Sequence, residues 1–395
     1  MNSSVSVPFS SILPDKTEID QSKLDIADRT RVSLFSWNGQ FSPLFIEALL
    51  DRYAFEDDVV YDPFSGSGTV LVESARKHLE CYGVELNPSA YYMSKFAEIA
   101  NLNVEQRNEI VKQIEGFLSD LAISNNSEVG LIDYYKNLPE GVLKNTLALL
   151  VILCDAYHNE LNMETIGKQW SKIKNELINL PYSPNPIVSI LGDTRNTSLR
   201  DESVSLIVTS PPYINVFNYH QNYRKSVEML GYDVLLTARR EFGSNRKNRG
   251  NRFLTVIQYT IDMALAFKEC IRVSKTNARL IFVVGRESNV LSTKFSNSNI
   301  LYRIGVEIFK LGFILKQERC FKNRFGQLIY EDIIHFSKNR LLNISNAEVV
   351  SRARLIALDV MNDALGYVDE THKELLQEAI AKINTVEPSE GIQYD

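Results

Sequence analysis

Apolar positions fall into two alternating patterns along the chain. Short runs at residues 59–62, 80–85, 186–193, 204–209 and 278–285 have apolar centres, several ending in an acid, which predicts buried strands. Between them, residues 70–77, 88–100 and 256–273 carry apolar side chains at helical spacing. Short buried strands alternating with helices predict an α/β fold, a doubly wound and mostly parallel sheet. One stretch breaks the alternation. Residues 105–121 (Ile110, Val111, Ile114, Phe117, Leu118, Leu121), 139–158 and 164–180 all have helical spacing, so a helical insertion of about three helices is expected over 101–185. Residues 313–321 and 328–336 alternate with period two about a turn at 323–326, an antiparallel edge hairpin. Residues 346–384 read as helical. The expected organisation is a loosely ordered N-terminal arm (1–30), an α/β domain (31–100 and 186–340), the insertion (101–185) and a C-terminal helical segment (341–395).

Composition narrows this picture only slightly. The chain has 395 residues, 44% hydrophobic and 23% charged, enough for a substantial core. A net charge of −6 argues against a uniformly basic nucleic-acid coat and leaves room for a local basic face. Cys81, Cys154, Cys270 and Cys320 form no C-x-x-C pair, and the five histidines are dispersed, so reduced thiols and no metal site are expected. Residues 1–14 lack a basic, then apolar leader, and the longest apolar run, 147–154, is too short to span a bilayer. A soluble, cytoplasmic protein without membrane attachment is expected. From Asp359 onward nine acids face two lysines, which reads as a solvated acidic face.

Three stretches carry chemistry. In Asp62-Pro-Phe-Ser-Gly-Ser-Gly-Thr69 a strand passes into a helix through Gly66 and Gly68, where backbone can press against a ligand because no Cβ intervenes. The glycines do not spell G-x-G-x-x-G and no P-loop lysine follows, which disfavours pyrophosphate. Glu85 ends the next strand about 20 residues on, the offset at which an acid accepts hydrogen bonds from ribose hydroxyls. The turn alone could be an ordinary loop; turn and acid together point to a nucleoside. Upstream, Ser42 followed by Pro43 marks a helix start, with a capping hydroxyl and a positive dipole end suited to a carboxylate.

The third stretch is Ser210-Pro-Pro-Tyr213, directly after a buried strand. An exocyclic amine of cytosine or adenine is a poor nucleophile, because its lone pair is delocalised into the ring. Two acceptors facing its N–H bonds draw the nitrogen toward tetrahedral geometry. The Ser210 hydroxyl oxygen and the Pro211 carbonyl are candidates, with Pro211 and Pro212 stiffening the turn. Tyr213 offers a ring on which a flipped-out base can stack. Rate would come from alignment and exclusion of water, without a metal.

The set Asp62 to Thr69, Glu85, Asp193 and Ser210 to Tyr213 closely resembles the amino-methyltransferases of DNA, which methylate N4 of cytosine or N6 of adenine. The resemblance covers about residues 35–90 and 187–285. It implies a Rossmann-like methyltransferase fold, S-adenosylmethionine as cofactor and double-stranded DNA as substrate. Asp62, Phe64, Gly66, Ser67, Gly68 and Thr69 would line the donor pocket, with Glu85 on the ribose and Asp193 near the adenine amine. Phe41 and Ser42 would help hold the methionine end. Ser210, Pro211, Pro212 and Tyr213 would form the catalytic motif. Serine at its first position resembles the cytosine-N4 members, so cytosine N4 is favoured and a cognate restriction endonuclease acting on the same site is a candidate partner. Adenine-N6 methylation, RNA base methylation and a non-catalytic DNA-binding subunit are the alternatives.

Two features depart from the resemblance. The donor motif precedes the catalytic motif, whereas many cytosine-N4 enzymes are permuted the other way. The helical insertion lies before Asp193 rather than between Asp193 and the catalytic strand, which makes it a candidate recognition subdomain in an unusual place. For DNA contact the basic run Arg239, Arg240, Arg246, Lys247, Arg249 and Arg252 is the candidate, although charge runs are usually solvated surface. Asn215, Phe217, Asn218, Tyr219, His220 and Tyr223 would frame the flipped base or simply pack the loop.

Overall fold

The computed structural model describes residues 8–26, 31–124, 127–156, 158–214, 219–243, 248, 250–322, 326–340 and 342–391. Seven strands form one sheet: β1 (Val59–Asp62), β2 (Glu80–Glu85), β3 (Ile187–Leu191), β4 (Val204–Thr209), β5 (Ser274–Gly285), β8 (Gly312–Lys322) and β9 (Leu328–Ser337). Their order is β3-β2-β1-β4-β5-β9-β8. The first five run parallel, and β9 is antiparallel to both its neighbours. β6 (Glu287–Val290) and β7 (Thr293–Ser296) make a separate small hairpin, which the sequence patterns did not signal. The doubly wound, mostly parallel sheet with an antiparallel edge hairpin is therefore as expected.

Alternation of side chains divides the core in two. Val60, Leu206, Val208, Ile281, Val283 and Ile333 point to one face of the sheet. Their neighbours Tyr61, Ile207, Leu280, Phe282, Val284 and Ile334 point to the other. Against the first face pack α2 (Pro43–Tyr53), α3 (Thr69–Arg76) and α4 (Pro88–Lys95), following the short α1 (Gln21–Asp25). Among the described residues the insertion has four helices rather than about three: α5 (Val104–Ser124), α6 (Ser127–Asn137), α7 (Val142–Cys154) and α8 (Met163–Asn179). The extra one, α6, lies in a stretch read as connection. Leu147 to Ile152 on α7, together with Trp170 and Ile173 on α8, are buried in the same core as α3 and α4.

After β4 come α9 (Arg224–Met229), α10 (Val234–Arg240) and α11 (Leu254–Val273). The other face is covered by α11, α12 (Asn297–Arg303), α13 (Asn346–Ala364) and α14 (Glu370–Ala381). The N-terminal segment is tied to the outer strand β8: Asp15 donates its N–H to the Lys316 carbonyl (2.6 Å) and Asp25 accepts from the Cys320 N–H (2.7 Å). Among the described residues no helix is long and apolar enough to cross a membrane.

What positions the site is the point between β1 and β4 where the strand order reverses. Open α/β sheets bind ligands in the crevice at the carboxyl ends of the strands there. Asp62 ends β1 and Thr209 ends β4, and the Thr209 hydroxyl donates to Asp62 Oδ1 across the crevice (2.6 Å). The two sequence motifs, about 145 residues apart in the chain, thus leave the sheet side by side.

Candidate functional site

The β1–α3 turn is built on two left-handed residues. Gly66 has φ +51° and Gly68 φ +85°, conformations that side chains other than glycine adopt at a cost. The two glycines serve different ends. A Cβ on Gly66 would stand 3.4 Å from Trp37, which covers the turn; a Cβ on Gly68 would come within 2.7 Å of Ser94 Cα on α4. Gly68 therefore permits close helix packing and does not line the cleft.

Glu85 stands opposite the turn. Its carboxylate accepts the Gly66 N–H at Oε2 and the Asn87 N–H at Oε1, both at 2.8 Å. Burial pushes the Glu85 carboxyl up to about 7, against the pull of those N–H groups. Asp62, fully buried, is likewise pushed up to about 7 by burial, although it accepts from Thr209 and the Phe64 N–H. Both acids border one cleft, whose empty volume is about 1150 Å³ with its mouth included.

Five segments line that cleft: residues 37–41, 62–69 without Gly68, 84–87, 192–194 and 210–213 without Pro211. A roof from the β4–α11 connection, Tyr219 with Glu241, Phe242 and Gly243, closes it. Tyr219 stacks on Trp37 (centroids 5.7 Å, 16°), and Phe242 meets Phe64 edge-on (5.5 Å). Gly66 and Tyr213 thus share one cavity. Phe41, Asp62, Phe64, Ser67, Thr69, Glu85, Asp193, Ser210, Pro212 and Tyr213 line it too; Ser42, Gly68 and Pro211 do not. Ser42 occupies the N-cap position of α2, but its hydroxyl makes no capping hydrogen bond, contrary to expectation.

Tyr213 is anchored in a way its motif does not announce. Its hydroxyl donates to Glu331 Oε1 (2.9 Å) on β9 and lies 3.5 Å from Ser210 Oγ. Arg319 on β8 donates to the other Glu331 oxygen (2.6 Å) and stacks over Phe45 (4.0 Å). The ring fits because residue 285 is glycine: a Cβ there would stand 2.8 Å from Tyr213 Cε2. Burial and the Glu331 charge push the Tyr213 phenol well above its ordinary range, so it stays neutral.

Other expected residues fall elsewhere. The His220 ring pairs with Glu241 (2.7 Å) behind the roof rather than lining the cleft. The Tyr223 hydroxyl reaches the Ser36 carbonyl (3.4 Å). Arg239 and Arg252 are exposed and Arg240 is half-buried, while Arg246, Lys247, Arg249, Asn215, Phe217 and Asn218 lie outside the described residues. Sequence reading missed Trp37, Gln40, Glu241, Phe242, Arg319 and Glu331. Gln40 accepts from the Trp37 N–H (3.0 Å) and the Ser67 hydroxyl (2.9 Å), bridging the upstream segment to the glycine turn. None of the six had a motif of its own: Trp37 and Gln40 precede the Ser42-Pro43 helix start, Glu241 and Phe242 lie within the basic 239–252 run, and Arg319 and Glu331 lie on the edge hairpin.

A family model described as DNA methylase matches residues 8–96 of the chain. A Type II methyltransferase, M.MvaI of Kocuria varians, is 23% identical over 339 residues, covering 63% of this chain and 74% of that enzyme. Over these stretches the chain is similar to DNA methyltransferases. Among solved structures, a SAM-dependent methyltransferase from Methanosarcina mazei is similar at TM-score 0.36 and 12% identity, over 73% of this chain and 96% of that one. The rRNA methyltransferase aviRa of Streptomyces viridochromogenes is similar at TM-score 0.31 and 10% identity, over 85% and 96%.

Proposed function

We propose that the protein methylates the exocyclic N4 of cytosine in a base flipped out of double-stranded DNA, at a specific site, as the modification half of a restriction system. The observation that carries this reading is the placing of Ser210 in one cleft with Glu85 and the Gly66 turn. The cleft's residues fit the donor. Gly66 presents backbone without a side chain, Glu85 offers carboxylate oxygens to a ribose, and Asp193 offers acceptors to a purine amine. Phe41 and Trp37 border the end where the methionine portion would lie. The bound donor supplies an electrophilic methyl group on a sulfonium.

The chain's own residues then act on the acceptor base. Ser210 Oγ, which faces the cleft, accepts an amine N–H and aims the nitrogen lone pair. Tyr213 presents a ring whose hydroxyl is tied to Glu331, leaving a fixed surface for stacking. Trp37, Tyr219 and Phe242 keep water out, so alignment rather than added charge provides most of the rate. The Type II designation belongs to the Kocuria enzyme, and carried here it supports a modification role with a cognate endonuclease as partner. DNA phosphates would meet Arg239, Arg252 and the rest of the 239–252 run. The division into an α/β catalytic domain and a 101–185 recognition subdomain belongs to the same proposal.

Incubation with labelled donor and plasmid DNA, followed by nucleoside analysis, tests the reading. N4-methylcytosine is expected; methylated adenine, or label only in tRNA, would replace it with the corresponding alternative. Absence of donor binding would point to a non-catalytic subunit.

A further inference from the structure

The wall of the cleft that carries Asp193 is braced from outside by a distant segment. Residues 386–391 return from α14 to Arg195, two residues beyond Asp193. Every N–H of the Arg195 guanidinium has an acceptor. Nε faces both Asp193 oxygens (3.0 and 3.1 Å), and Nη2 donates to Asp193 Oδ2 (2.5 Å) and the Glu390 carbonyl (2.8 Å). Nη1 donates to Asp262 Oδ1 (2.7 Å), the Ser389 carbonyl (2.9 Å) and the Ser389 hydroxyl (2.8 Å).

Ser389 is 3% exposed, and its own donors are used as well. Its N–H goes to Asp262 Oδ1 (2.9 Å) and its hydroxyl to the Arg240 carbonyl (3.2 Å), next to roof residues Glu241 and Phe242. The Arg195 guanidinium lies 5.0 Å from the Phe242 ring centroid. One buried cluster therefore joins Asp193, the roof and the returning segment. A guanidinium satisfied at every N–H holds its carboxylate in one orientation, so binding a ligand there orders little that is not already ordered.

We propose that Ser389, acting through Arg195, is a positioning residue of the donor site: it presets the Asp193 carboxylate and the Glu241–Phe242 roof for the purine end of S-adenosylmethionine. This rests on the reading of the cleft as the donor site, and the test separates the two. Wild-type protein, a variant lacking residues 388–395 and Ser389→Ala are titrated with S-adenosylmethionine and with adenosine, using calorimetry and the fluorescence of Trp37, which lines the cleft. The truncation is expected to weaken both ligands by about tenfold and Ser389→Ala by about threefold, as for loss of hydrogen bonds to charged groups. For Ser389→Ala, which keeps the backbone bonds of the returning segment, the melting temperature without ligand stays near wild type, while the rise produced by the donor shrinks.

If wild-type protein binds neither ligand, the reading of the cleft fails. If wild type binds and both variants bind within twofold of it, the positioning role fails. A loss for S-adenosylmethionine without a loss for adenosine also overturns it, because the brace acts on the purine end. Should the truncation not fold, Ser389→Ala decides.

Discussion

Ser210, Glu85 and Gly68 each rest on a different physical term. For Ser210 the term, in the proposed reaction, is a hydrogen bond to the reacting amine, so Ser210→Ala should lower kcat by about 10²-fold with donor Kd nearly unchanged. Single-turnover rates beside donor titration check this, and equal loss of both would remove Ser210 from the chemistry. For Glu85 and Asp62 the term is burial, which pushes both carboxyls up to about 7. Between an ordinary carboxyl pKa of about 4 and that value the folded state binds more protons than the unfolded one. Ligand-free stability should therefore fall as pH rises through this window. With Glu85 as the proposed ribose acceptor, donor affinity should rise over the same window as its carboxylate gains full acceptor capacity. Denaturant unfolding and calorimetry from about pH 5 to 8 would show the two trends crossing. For Gly68 the term is space together with φ. Gly68→Ala brings Cβ to 2.7 Å from Ser94 Cα at φ +85°, and should cost about 2 kcal/mol or more of stability in denaturant titration.

At the scale of elements, the β8–β9 hairpin does more than cover the sheet edge. Antiparallel register sets Arg319 opposite Glu331, and Gly285 on β5 is in turn the partner of Glu331. That geometry delivers a braced carboxylate to the Tyr213 hydroxyl and leaves room for its ring. Glu331→Ala should release the ring and lower kcat by about tenfold, while Glu331→Gln, still an acceptor, keeps most of the activity. Donor Kd should be unaffected in both, because Glu331 braces Tyr213, the ring proposed to face the base rather than the donor. A matched fall in donor affinity would mean that the hairpin acts on the fold instead.

For the molecule as a whole, the helical insertion shares its core with the sheet. Leu149 and Leu150 on α7 are fully buried in the cluster that holds Val70 and Leu71 of α3 and Val60 of β1. Leu150→Ala should cost about 2–5 kcal/mol. Because the packing is continuous, the fluorescence of Trp37 near the cleft and of Trp170 in the insertion should report one shared unfolding transition. Two transitions in single-tryptophan variants would show instead that the insertion folds as a separate unit.

Local patterns were enough for the strands of the parallel sheet, because burial leaves their runs with apolar centres. They also brought out the glycine turn and Ser210 to Tyr213, where the residue types themselves are the signal, and Gly66, Ser210 and Tyr213 do border one cleft. The edge hairpin was legible from period-two alternation, whereas α6 and the β6–β7 hairpin were not, since short elements of mixed polarity leave little periodic signal. Asp193 could be singled out from sequence; that Arg195, Asp262 and Ser389 brace it could not. Nor could the tie from Tyr213 to Glu331 and Arg319, or the roof that Tyr219 and Phe242 make over Trp37. Those groups are distant in the chain and meet only in the folded sheet, whose order β3-β2-β1-β4-β5-β9-β8 sets which segments are neighbours. A chain of residues specifies its own backbone preferences and side-chain chemistry, but contacts between far-apart segments exist only once the sheet has set which strands are neighbours.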